Sequence, residues 1–112
     1  MREYGRKHVP HFVGVFPNDR VPAQQSETET LIVNDSPAGT AGRHWTALFR
    51  SGPRAVFWDS YGRPASELLP HIDAEDCDSD REQRVNERWC GAGCLSWLQV
   101  CASLGPDAAK TV

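Results

Sequence analysis

The chain has 112 residues, 39% of them hydrophobic and 24% charged, and a formal net charge of −3. This length predicts a single compact domain over residues 1–112, and the negative charge gives no electrostatic basis for strong nucleic-acid binding. No apolar run reaches the roughly 20 residues of a membrane helix, and the polar, basic start lacks the apolar region of a secretory signal. We therefore expect an intracellular, reducing setting in which the four cysteines do not form a disulfide framework.

The first third of the chain predicts a flexible start followed by two short strands. Residues 1–10 are basic and follow no periodic pattern, so we expect a flexible arm. The segment 11–17 (HFVGVFP) is extended and ends at a proline, and residues 31–34 (LIVN) form a short buried strand. The segment DSPAGTAGR that follows has the Pro, Gly and Ser content of a loop.

The middle of the chain predicts an antiparallel hairpin. Apolar and other residues alternate along HWTALFRS, SGP supplies a turn, and AVFWDS runs back as a second strand. His44 stands at the start of the first strand and Asp59 at the end of the second. Because these two ends of a hairpin lie side by side, the sequence predicts that His44 and Asp59 are neighbours.

The rest of the chain predicts a short helical segment, an acidic stretch and a longer helix. Residues 63–72 (RPASELLPHI) form one or two helical turns, and residues 73–82 (DAEDCDSDRE) are acidic and solvated. From Gly91 onward, apolar residues recur at the spacing of one helix face, which predicts a helix ending near Gly105. The residues of that face are Cys94, Trp97, Leu98 and Cys101.

The cysteines differ in their expected roles. The spacing Cys90-x3-Cys94-x6-Cys101 lacks the paired C-x-x-C knuckles of structural zinc sites, so we expect no metal. Cys94 and Cys101 belong to the core face of the helix, and Cys77 is expected to be an exposed thiol in the acidic stretch. Cys90 stands at the start of the helix, where backbone N–H groups and the helix dipole favour a thiolate.

A thiolate at Cys90 could act as a nucleophile if the chain supplied its partners. A cysteine nucleophile needs a base to accept its proton and a third group to orient that base, and His44 and Asp59 fit these roles. Acyl transfer also needs donors for the oxyanion. Backbone N–H groups near Cys90 and the side-chain amide of Gln83, seven residues earlier, could supply them.

The order of these residues resembles that of the adenovirus protease (adenain) family and, more distantly, of the SUMO-protease-like cysteine peptidases of the same clan. The matching pieces are His44-Trp45, Asp59-Ser60-Tyr61-Gly62, Gln83, Cys90-Gly91 and the segment HFVGVFPNDRVP. The resemblance extends over roughly residues 11–104. It implies an α+β fold in which a small, mainly antiparallel sheet packs on a central helix that carries the nucleophile at its N-terminus.

The resemblance also implies roles for individual residues. Cys90 is the expected nucleophile, His44 the general base, Asp59 the residue that orients it, and Gln83 part of the oxyanion hole. Two tryptophans are expected beside the substrate: Trp45 next to the base and Trp89 next to the nucleophile.

The biology of that family supplies further expectations. Its members are thiol proteases that cleave viral precursor proteins during virion maturation, so we expect a protein or polyprotein substrate and a location in the host nucleus or the virion. They are activated by a viral peptide and by DNA, whereas no metal, organic cofactor or membrane is implied. A DNA requirement fits poorly with the net charge of −3.

Other functions remain open from the sequence. The same residues would be present in a peptidase for ubiquitin-like modifiers, or in a catalytically inactive domain that serves as a binding or scaffold module. An acyltransferase is a third alternative, but it would need a basic patch for coenzyme A that we do not find. The acidic stretch also mimics the ligand spacing of a calcium loop, through Asp76, Asp78, Asp80 and Glu87. Arg81 stands where that loop requires glycine, so we expect a solvated acidic loop instead.

Overall fold

The computed structural model describes residues 2–34, 44–59, 63–77 and 90–109. In these ranges the strands are β1 (Phe12–Pro17), β2 (Thr28–Asn34), β3 (Trp45–Ser51), β4 (Arg54–Trp58) and β5 (Glu75–Asp76). The helical segments are α1 (Arg2–His8), α2 (Ala65–Leu68), α3 (Cys90–Leu104) and α4 (Pro106–Ala109). The strands form one sheet in the order β1-β2-β3-β4-β5.

The α+β class predicted from the sequence is confirmed, but the sheet is mixed rather than mainly antiparallel. The pairs β2–β3 and β3–β4 are antiparallel, whereas β1–β2 and β4–β5 are parallel. A parallel neighbour needs a crossover connection, and the chain has one between β1 and β2 and another between β4 and β5. Alternation in a short segment is the same for either strand direction, so the sequence pattern did not reveal these parallel pairs.

The sheet is the middle layer between two apolar clusters, because side chains alternate across each strand. Cluster A, on the α3 side, contains Val9, Ile32, Ala47, Phe49, Val56, Trp58, Cys77, Cys94, Leu95, Trp97, Leu98 and Cys101. Cluster B, on the α2 side, contains Leu31, Val33, Leu48, Phe57, Ala65, Leu68 and Leu69. The strands β2, β3 and β4 supply residues to both clusters, so they form the centre of the molecule.

The long helix matches its prediction closely. All four residues expected on its core face are buried, and the helix begins at Cys90, one residue before the predicted start. It ends at Leu104, where Gly105 adopts a φ of 90° and donates its N–H to the Cys101 carbonyl at 2.9 Å. Glycine takes this left-handed conformation at little cost, which makes it a common helix terminator.

The N-terminal segment, expected as a flexible arm, is helical and packs on the rest of the chain. Val9, just after α1, is buried in cluster A. The Phe12 ring covers Gly5 so closely that an added Cβ would lie 2.4 Å from Phe12 Cζ. Gln99 of α3 donates to the His8 carbonyl at 3.1 Å. A seven-residue helix attached through so few apolar residues leaves almost no periodic signal in the sequence.

Strand β2 begins at Thr28, three residues earlier than predicted, because its polar first residues are buried with partners. Arg50 Nη2 donates to Glu29 Oε1 at 2.6 Å, and Arg50 Nη1 donates to the Pro22 carbonyl at 2.9 Å. The other Glu29 oxygen accepts from the backbone N–H groups of Gln25 and Ser26. A buried charge is tolerated only with such compensation, so this ion pair ties the 18–27 connection to the sheet.

We expect Arg50→Met to destabilise the fold by about 3–5 kcal/mol, because it leaves the Glu29 carboxylate buried without its cation. Urea unfolding followed by circular dichroism measures this loss. Arg54→Met is the matched control, since Arg54 pairs with Glu75 and Asp107 at an exposed site and solvent screens that pair. Equal unfolding midpoints for the two variants would contradict the expectation.

Candidate active site

His44 and Asp59 meet at the open end of the β3–β4 hairpin. His44 directly precedes β3 and Asp59 directly follows β4. Their side chains form a hydrogen bond of 2.5 Å between Nε2 and Oδ1, and both residues are buried, at 3% and 2% exposure. The prediction that the hairpin makes these residues neighbours is confirmed.

The second oxygen of the Asp59 carboxylate is bound by Arg63. Arg63 donates to Oδ2 twice, from its side-chain Nε at 2.7 Å and from its backbone N–H at 3.3 Å. The sequence reasoning missed this residue. Its signal was the spacing in DSYGR, where an aspartate opening a turn can accept from groups a few residues downstream.

These contacts determine which nitrogen of His44 can act as a base. An ionised carboxylate only accepts hydrogen bonds, so Nε2 carries the proton that faces Asp59. In the neutral ring the lone pair then lies on Nδ1, which is buried as well. A neutral His44 held in this way can accept a proton at Nδ1 and can keep Nε2–H on the carboxylate as it does so.

The first turns of α3 lie beside the start of β3. The Cys94 thiol donates to the Trp45 carbonyl at 3.2 Å, and Cys94 is completely buried. The backbone of Cys90 opens the helix four residues earlier, which corresponds to about 6 Å along the helix axis. The N-terminus of α3 is therefore close to the residue that follows His44.

The remaining predicted site residues are described only in part. For Cys90 the structure describes the backbone alone, and Gln83 and Trp89 lie outside the described residues. Trp45 is half-buried and packs against cluster A. Its role in substrate binding stays a prediction, as do the roles of Gln83, Trp89 and Cys90.

Cys77, expected to be exposed, is buried at 4% exposure. Its backbone N–H donates to the Phe57 carbonyl at 2.9 Å, so the residue that follows β5 stays hydrogen-bonded to β4. Its sulfur accepts a hydrogen bond from Trp97 Nε1 at 3.3 Å. The acidic neighbours suggested a solvated thiol, but pairing beside β4 brings this residue onto the indole.

Cys101 has a strongly perturbed thiol. Burial, and secondarily the nearby Cys77, raises the pKa of Cys101 to about 12, and Arg54 opposes this rise. Cys94, like Cys77, is buried and hydrogen-bonded through its sulfur. These three thiols therefore have the environment of structural cysteines, which are inert.

The described residues contain no group of three His, Cys, Asp or Glu side chains that could hold a metal ion. Asp76 accepts from the Ala65 backbone N–H at 2.7 Å, at the start of α2, whereas Asp78, Asp80 and Glu87 of the calcium-loop spacing lie outside the described residues. Within the described ranges, no helix is long and apolar enough to cross a membrane. No protein-family model and no curated protein matches the chain.

We expect Cys101 to make the stability of the fold fall as pH rises from about 9 to about 12. The folded state holds the thiol proton more tightly than the unfolded state, so this contribution is complete below the ordinary pKa of 9.0 and is lost toward about 12. Its slope is at most about 1.4 kcal/mol per pH unit. Urea unfolding of Cys101→Ala across this range, with reductant present, should show a shallower decline than the wild type.

Val100→Ala is the matched control for this measurement, because it shortens a neighbouring, half-buried side chain that does not titrate. It should retain the wild-type slope while lowering the overall stability. A slope for Cys101→Ala that equals those of the wild type and Val100→Ala would show that the Cys101 thiol does not contribute.

Proposed function

We propose that this chain is a cysteine endopeptidase of the adenain type, with Cys90 as the nucleophile, His44 as the general base and Asp59 as the residue that orients the base. The observation that carries the proposal is the buried hydrogen bond between His44 and Asp59. The position of this pair, next to the start of a helix that opens with Cys90, gives further support. The reaction type, peptide-bond hydrolysis, is proposed from the adenain-like order of these residues in the sequence.

The described geometry suggests how the proton would move. His44 Nδ1 accepts the thiol proton of Cys90, and Asp59 stabilises the resulting imidazolium through Nε2–H. The thiolate attacks the carbonyl carbon of a peptide bond, and backbone N–H groups at the start of α3, with Gln83, hold the oxyanion. His44 then returns its proton to the leaving amine, which leaves a thioester on Cys90.

The second half of the reaction is hydrolysis of the thioester, in which His44 again acts first as a base and then as an acid. Water enters after the amine leaves, His44 Nδ1 takes a proton from it, and the hydroxide attacks the thioester carbonyl. The intermediate collapses to a free carboxylic acid, and the proton on His44 returns to the sulfur. One water is consumed and one peptide bond is broken, with the enzyme restored.

The substrate and setting of this proposal follow from the resemblance. The substrates would be viral precursor proteins cut at glycine-containing sites, in the host nucleus or the virion. An activating peptide and DNA belong to the same proposal, and Trp45 and Trp89 would contact the substrate. Titrating peptidase activity with salt and with added duplex DNA tests the DNA requirement, and an activity indifferent to both would remove it.

We expect Cys90 to react with iodoacetamide at pH values well below about 8.5, the ordinary pKa of a free cysteine. In His44→Ala the rate at neutral pH should fall by about tenfold or more, because losing one pKa unit of thiolate stabilisation costs that factor. Mass spectrometry of the labelled peptides identifies the site. His71→Ala is the matched control, since His71 is exposed and lies outside the proposed site.

The three buried cysteines serve as internal controls in the same experiment. Cys77, Cys94 and Cys101 should stay unlabelled until urea unfolds the chain. Labelling of Cys90 only after unfolding, or at equal rates in wild type and His44→Ala, would contradict the proposed dyad. Circular dichroism of His44→Ala separates a lost base from a lost fold, and Asp59→Asn provides a second variant of the same pair.

We expect the wild-type chain, but not Cys90→Ser, to generate new peptide N-termini from a glycine-rich peptide library. Serine keeps the shape of cysteine but has a far weaker nucleophile, so cleavage should fall by at least about a hundredfold. Mass spectrometry of the products, with and without duplex DNA, gives the cleavage sites. A reactive Cys90 without cleavage under either condition would favour the binding or scaffold function.

A further inference from the structure

We infer that Arg63 is a positioning residue for the proposed catalytic base: it holds the Asp59 carboxylate so that His44 keeps its Nε2–H tautomer. This inference rests on the proposed function for its catalytic consequence. The geometry behind it involves only described residues. Arg63 was not among the residues that the sequence pointed to.

The Asp59 carboxylate has a different partner on each oxygen. Oδ1 faces His44 Nε2, whereas Oδ2 accepts from Arg63 Nε and from the Arg63 backbone N–H. The Asp59 side chain has 0% exposure, so bulk water does not orient it. The two bonds to Oδ2 oppose rotation of the carboxylate, and they therefore aim Oδ1 at the imidazole.

Charge gives Arg63 a second effect. During the proposed reaction His44 alternates between a neutral ring and an imidazolium, whereas the guanidinium keeps its charge throughout. When His44 is neutral, the Arg63 guanidinium still compensates the charge of the buried carboxylate. Asp59 can thus remain ionised, and remain a hydrogen-bond acceptor, in both states of the ring.

The location of Arg63 suits this role. It lies four residues after Asp59, and its side chain is 28% exposed, so its own desolvation is incomplete. The other arginines with described ion pairs serve different carboxylates: Arg50 pairs with Glu29, and Arg54 with Glu75 and Asp107. These other pairs provide controls for the loss of an arginine as such.

The inference is tested by nitrogen-15 NMR of the His44 ring in Arg63→Ala, Arg63→Lys and wild type. The ring nitrogen shifts distinguish the two neutral tautomers from each other and from the imidazolium, and all spectra are recorded in a Cys90→Ser background so that no thiol proton reaches the ring. We expect a pure Nε2–H tautomer in the wild type and a mixture in Arg63→Ala. Arg63→Lys should be close to wild type, because an ammonium group can still donate to Oδ2.

Two further variants calibrate the measurement. Asp59→Asn should shift the ring to the Nδ1–H tautomer, because an amide can donate to Nε2. Arg54→Ala removes an exposed arginine from a different ion pair and should leave the His44 signals unchanged. Urea midpoints for all variants show whether each still folds, and Arg63→Lys keeps the test informative if Arg63→Ala does not.

The second readout is the pH profile of Cys90 alkylation. In Arg63→Ala the rate at neutral pH should fall about two- to fivefold, less than in His44→Ala, because part of the His44 population still holds the tautomer that accepts the Cys90 proton. Arg63→Lys should recover most of that loss. A purely structural role would lower the urea midpoint while leaving the tautomer and the alkylation profile unchanged.

The two proposals fail in different ways. A wild-type tautomer and a wild-type alkylation profile in folded Arg63→Ala would overturn the inference about Arg63. A Cys90 that is unreactive in the wild type would overturn the peptidase proposal. A tautomer mixture in Arg63→Ala would still support the positioning of His44 by Arg63 in that case.

Discussion

The pairing register of β3 with β4 is the constraint on which the rest of the candidate site depends. Ala47 lies opposite Trp58, so the chain before β3 and the chain after β4 come together at one end of the hairpin. A slip of one residue would turn each side chain to the other face of the sheet and would separate His44 from Asp59. Burial on both faces opposes such a slip, since each face of β3 and β4 contributes to an apolar cluster.

The helix α3, which begins at Cys90, then packs against this end of the hairpin. Trp58 of β4 stacks with Trp97 of α3 at a centroid distance of 6.3 Å and an interplanar angle of 13°. Stacked aromatic pairs contribute about 0.5–1.5 kcal/mol beyond their buried area. With the Cys94 bond to the Trp45 carbonyl, this contact fixes both the rotation of α3 and its position along β3.

The elements that the sequence predicted are those whose signal is local. The hairpin and α3 have clear periodicity, and the meeting of His44 with Asp59 follows from the hairpin alone. The sequence did not predict contacts between residues that are distant along the chain. These contacts are the Glu29–Arg50 ion pair, the hydrogen bond from Trp97 to Cys77, and the parallel pairing at both edges of the sheet. Charged residues are mostly exposed in proteins, and Glu29 and Arg50 are buried because each compensates the charge of the other. Arg63 is a local case, because it lies four residues after Asp59, but its spacing alone does not show that its guanidinium binds this carboxylate.

The two contacts that assemble the candidate site differ greatly in the length of chain that they close. His44 and Asp59 are 15 residues apart, whereas Trp45 and Cys94 are 49 apart. From chain statistics, closing the longer loop costs about 1 kcal/mol more in conformational entropy, because this cost rises with the logarithm of loop length. The His44–Asp59 pair is therefore a local product of the hairpin, whereas its position against α3 depends on the apolar burial that offsets the longer loop.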